Sequence, residues 1–247
     1  MGPVLFLPGI IAPATVRYSP LLDHLPDISA VCKDLEVYAG EEPPSGYAIG
    51  SELDGVDRAA DEAGFGTFHL YGHSGGGAVG LAYAVARGER LLSLAVDEPA
   101  HDFTAEGDAV YGWGEFEAAA TLPEPDATRS FMSLQLAPDV PPPSPPPGPA
   151  PPWMAKCPAG IRAFIAALRS HHIDPDRYQA FRAPVYFSRG TRSHPRWTAM
   201  HERLSKLFPD FAAEVYEGLH HLNTSHQAEP GRVARALKNF WGRAEHG

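Results

Sequence analysis

"HLYGHSGGGAVGLAYAVA", His69 to Ala86, sets one serine inside a run of glycines. Apolar residues lead into it, and a segment rich in alanine and valine follows. A flexible linker would not be flanked by a strand pattern on one side and a helix pattern on the other. The alternative is a strand-to-helix turn tight enough to exclude side chains. Gly72-His73-Ser74-Gly75-Gly76 fits G-x-S-x-G, with Gly72 and Gly76 where Cβ atoms would collide. The glycines serve geometry.

Working outward, "PVLFLPG" at Pro3–Gly9 has the pattern of a buried strand, and "SAVCKDLEVY" at Ser29–Tyr38 predicts a second. Ile49, Leu53, Val56 and Ala60 recur at helical spacing, with Gly64 as the stop. "FGTFHLYG", "RLLSLAVDEP", "APVYFSRG" and "FAAEVYEG" complete the predicted strands. Helices are expected after the serine and at the C-terminal end, where Val233, Leu237 and Phe240 share a face. Strands alternating with helices predict an α/β fold with a mostly parallel sheet, helices on both faces and right-handed crossovers. The alternation stops between His101 and Ala180, where helical pieces around Tyr111–Ala120 and Gly160–Ser170 flank "APDVPPPSPPPGPAPPW". That tract favours polyproline II and is expected to be an exposed, stiff connector. The core is therefore expected from 1–100 and 181–247, with 101–180 inserted as a cap.

The chain has 247 residues, 44% hydrophobic and 20% charged, an ordinary globular composition for one sizeable core. A net charge of −10 argues against nucleic acid or an anionic membrane as partner. No segment has the roughly 18 uninterrupted apolar residues of a membrane span. "MGPVLFLPGI" lacks a basic region and a cleavage site, so it is read as a strand, not a signal peptide. Cys32 and Cys157 lie too far apart in sequence for a disulfide framework, and a cytoplasmic location is expected. The twelve histidines include the pairs His171–His172 and His220–His221. Adjacent side chains diverge and no HExxH or Cys/His spacing occurs, so neither metal nor cofactor is expected.

A hydroxyl attacks poorly unless a base takes its proton. "VYEGLHHLNTSHQAEP" supplies His220 and His221 after the last strand, where such a base is expected. The N–H of Gly75 lies at a helix N-terminus, suited to a developing oxyanion. The N–H of Ile10, after Pro8-Gly9, is the candidate second donor.

With the glycine-flanked serine, the late histidine and the Pro-Gly loop in this order, the chain resembles the α/β-hydrolase fold family. It is also similar to a bacterial subgroup with "HHLNxxHQAEP"-like ends and "EP" after the mid-chain strand. The first family hairpin is missing from the pattern. The resemblance implies a serine hydrolase acting on an ester, thioester or related small, apolar acyl substrate. In it Ser74 is the nucleophile and His221, directly before the "LN" pair, is the base in preference to His220. His226 is then a helix-start residue. Family members carry an acid after the penultimate strand, but "SRGTRSHPRW" contains none. Glu98 is the leading candidate, since the strand ending in it should lie beside the serine strand. Pro99 is expected to hold Glu98 extended and aim it at the histidine loop. Asp97 competes, and Asp174 and Asp176 are weaker candidates. Phe103, Trp113, Phe116, Phe131, Met132, Trp153 and Met154 suggest an apolar pocket in the cap, or the cap's own small core. A perhydrolase or lyase on the same residues, or a catalytically silent binding protein, are the alternatives.

Overall fold

The computed structural model describes residues 1–123, 126–144 and 148–246. Six strands, β1 (Val4–Leu7), β2 (Ala30–Cys32), β3 (Phe68–His73), β4 (Leu91–Asp97), β5 (Val185–Gly190) and β6 (Phe211–Tyr216), form one sheet in the order β2-β1-β3-β4-β5-β6. Every pairing is parallel, with registers such as Leu5 with Leu70 and Val96 with Phe187. Such a sheet needs a crossover between successive strands, and the chain supplies helices. These are α1 (Ala14–Leu22), α2 (Ile49–Glu62), α3 (Gly75–Arg87), α4 (Ala105–Tyr111), α5 (Trp113–Ala120), α6 (Asp126–Ser133), α7 (Cys157–Ser170), α8 (Pro175–Ala180), α9 (Arg196–Leu207), α10 (Ser225–Ala228) and α11 (Pro230–His246).

Period-two alternation along the strands divides the buried residues into two cores. Val4, Phe6, Tyr71 and Tyr186 pack with Tyr18 of α1 and Leu237 and Trp241 of α11. Leu5, Leu70, Leu94 and Val185 point the other way, packing with Leu53 and Val56 of α2, Leu81 of α3 and Leu204 of α9. Helix α3 rides close to the sheet because it is built from small residues: a Cβ at Gly80 would lie 3.0 Å from Leu94 Cδ1.

One expectation is corrected. The second predicted strand ends at Cys32, and Glu36–Tyr38 form a 3-10 turn. The backbone N–H groups of Glu36 and Val37 donate to the buried Glu52 carboxylate instead of a neighbouring strand. In the proline tract, 145–147 lie outside the described residues, and 141–144 form neither helix nor strand. Among the described residues no helix is long and apolar enough to cross a membrane.

Candidate active site

Parallel strands place all their C-terminal ends on one edge, and that edge collects the predicted residues. Ser74 follows β3, Ile10 lies beyond β1, Glu98 follows β4 and His221 lies beyond β6. Ser74 has φ 52° and ψ −115°, a strained conformation for a residue with a side chain. The turn exists because nothing intrudes on it. A Cβ at Gly72 would sit 2.3 Å from the Gly76 carbonyl oxygen, and one at Gly76 would sit 2.4 Å from that of Leu7.

Ser74 Oγ lies 2.9 Å from His221 Nε2, and His221 Nδ1 lies 2.9 Å from Glu98 Oε2. The N–H of Gly190, at the end of β5, donates to Glu98 Oε1 at 2.7 Å. All three side chains are buried. Burial holds the His221 imidazole well below the usual histidine range; Arg196 adds to the effect and Asp97 opposes it. The neutral ring is the form that can accept a proton. Burial pushes the Glu98 carboxyl up to about 8, with the Asp97 charge adding to the rise.

Glu98 reaches His221, but not through an extended backbone. Its φ is 46°, in the left-handed region, so the expectation drawn from Pro99 is corrected. The chain bends there because Glu98 N–H donates to Ser188 of β5 while Ala100 N–H turns back to Ser74. Asp97 serves a different histidine. Its Oδ2 lies 3.0 Å from His226 Nδ1, and its Oδ1 accepts from Ser188 Oγ at 2.8 Å. His226 is therefore more than a helix-start residue, being fully buried against Asp97. His220 Nδ1 accepts from the N–H groups of Leu222 and Asn223, which shapes the loop. Asp174 caps α8 through the N–H of Asp176, and the chain runs Glu98–His221–Ser74 without either residue.

Gly75 is the first residue of α3, so its N–H has no intrahelical acceptor. It lines a cavity with Ile10 and Ser74, and the Tyr38 hydroxyl donates to the Ile10 carbonyl at 2.5 Å, in the peptide that joins Ile10 to Ile11. Among the described residues no cluster of three potential metal ligands occurs. The Ser74–His221 contact can carry a proton from a hydroxyl to a neutral imidazole.

Three residues escaped the sequence reading. Trp197 stacks on His221, centroids 4.3 Å apart and planes at 13°, with its Nε1 donating to the Pro99 carbonyl at 2.8 Å. It lies in "SRGTRSHPRW", where no local pattern marks a tryptophan that faces a histidine of a later loop. His73 packs 4.7 Å from His221 and 5.1 Å from His226. Its place inside the serine turn was the available signal. Arg196 is buried beside Tyr111, and no sequence pattern marks a cation that is held by carbonyls.

The sequence matches the Alpha/beta hydrolase family over residues 4–236. Comparison with curated proteins finds no match. A thermophilic esterase from Thermogutta terrifontis is 17% identical with a TM-score of 0.72, covering 99% of this chain and 90% of its own. A hydrolase from Pseudomonas aeruginosa is 17% identical with a TM-score of 0.72, covering 98% and 90%. The carboxylesterase CesB from Bacillus subtilis is 18% identical with a TM-score of 0.65, covering 97% and 83%. At these identities the likeness is one of fold.

Proposed function

The chain belongs to the alpha/beta hydrolase family, and from that premise we propose that it is a serine hydrolase cleaving an ester or thioester of a small apolar acyl group. The observation that carries this reading is the unbroken path Glu98–His221–Ser74, with both links at 2.9 Å. Ser74 Oγ attacks the acyl carbonyl as His221 Nε2 takes its proton, and the N–H groups of Ile10 and Gly75 receive the negative oxygen. Collapse of the tetrahedral species expels the alcohol or thiol, protonated by His221. Water, deprotonated by the same ring, then releases the acid and restores Ser74. Glu98 holds the ring with Nδ1–H towards itself and stabilises the imidazolium that forms.

The substrate class rests on the cavity lining. Phe131, Ile161, Phe164, Ile165 and Leu168 surround Ser74 with apolar surface, in keeping with 101–180 acting as a cap. The path from acid to serine favours an active enzyme over a silent binding protein.

A fluorophosphonate is expected to add one covalent mass to Ser74, and Ser74→Ala to remove both the adduct and turnover of nitrophenyl esters. Equal labelling of the alanine variant would sink the assignment.

A further inference from the structure

We propose that Phe131 sets the acyl chain length by closing the serine cavity off from a second apolar cavity; this rests on the reading of Ser74 as nucleophile. The serine cavity is the narrower of the two, with a volume of about 20 Å³. The second, of about 90 Å³, lies between α5, α6 and α7 and includes Leu122, Ala127 and Pro158. Phe131, Ile161 and Ile165 line both. Helix α7 explains this sharing: residues 158, 161, 162 and 165 line the outer cavity, and 161, 164, 165 and 168 the inner. These are neighbouring helical stripes with one turn in common. The partition is one side chain thick.

Its members are not held equally. Ile161 and Ile165 belong to a 14-residue helix anchored by buried Phe164 and Leu168. Tyr111 of the inner wall and Phe116 of the outer stack on each other at 4.9 Å. The Arg196 guanidinium lies 5.3 and 5.0 Å from those two rings. It also donates to the Tyr111 carbonyl at 3.2 Å and to that of Leu134, at the ends of α4 and α6. Phe131 has much less support. It is half-buried on α6, an eight-residue helix that buries none of its residues, and it meets Phe116 edge-on at 5.8 Å. Of the partition's side chains, it is the one that moves at least cost. Acyl groups that fit the inner cavity are accommodated with Phe131 in place, and longer ones must displace it.

The test is kcat/KM on p-nitrophenyl esters from acetyl to octanoyl, which share one leaving group, for the wild type and Phe131→Ala. The wild type is expected to favour the short end. Phe131→Ala is expected to raise the octanoyl-to-acetyl ratio at least about tenfold, a gain that mere loss of stability does not produce. Acetate esters of lengthening alcohols form the control series. An unmoved or falling ratio in a folded variant overturns the proposal, as does a shift confined to the alcohol series. If Phe131→Ala does not fold, Phe131→Leu must move the ratio in the same direction, and its failure to do so counts equally against the gate. Hydrolysis with an unmoved ratio sinks the gate alone, whereas absence of both hydrolysis and Ser74 labelling sinks the nucleophile and the gate together.

Discussion

Asp97 and Glu98 are consecutive carboxylates, yet they engage different histidines, and this separates their expected effects. Glu98 contacts the ring that contacts Ser74, while Asp97 binds His226. An acid that orients the base and stabilises its imidazolium can be worth about ten-thousand-fold in turnover. Glu98→Gln is therefore expected to lose at least about a hundredfold in kcat while folding normally. Asp97→Asn leaves Glu98 in contact with His221 and is expected to cost less turnover. Near-normal turnover in Glu98→Gln beside a crippled Asp97→Asn would hand the role to Asp97.

At the scale of elements, close packing of β1, β3 and α3 is what shapes the serine turn. A methyl at Gly76 would meet the Leu7 backbone at 2.4 Å, and neither partner is a side chain that can rotate away. Gly76→Ala is expected to lose about 3 kcal/mol or more in denaturant unfolding, or not to fold. At Gly242, inside α11, an added methyl would meet nothing within 4 Å, and Gly242→Ala should gain about 0.5–1 kcal/mol. Equal effects at both positions would mean that close approach is not what selects glycine. The same contrast explains what could be read beforehand. The strands around β3 and β4, helices α2, α3 and α11, and the collision at Gly72 and Gly76 follow from local pattern, because burial there is periodic. Helix α1 was hidden by Pro20 within it, and β2 was overextended because only the distant Glu52 shows where Glu36 and Val37 bond. Ser74 and His221 stand out by motif and order. The left-handed turn at Glu98, the Trp197 stack and the Asp97–His226 pair depend on contacts across many residues.

Taken as a whole, the molecule stores several buried imidazoles around its site, and these tie its stability to pH. Burial lowers the native pKa of His73, His221 and His226, so the folded chain refuses protons that the unfolded chain accepts below about 6.5. Stability contributed by these groups is present above that value and is lost as pH falls. Glu98 and Glu52 act in the opposite sense, since burial raises both. They keep protons in the folded state that the unfolded chain has released, which favours folding as pH falls towards the ordinary carboxylate range. The lowered imidazoles outnumber the raised carboxyls, so the net effect is a loss of stability as pH falls. Burial lowers His69 and His101 as well, which steepens the fall. Denaturant unfolding at several pH values between 5 and 8 is expected to show stability dropping between about pH 6 and 5. His73→Asn removes one imidazole from the balance, so its slope should be shallower than that of the wild type, whatever its absolute stability. A flat profile, or a His73→Asn slope equal to that of the wild type, would show that His73 is not kept neutral in the folded protein.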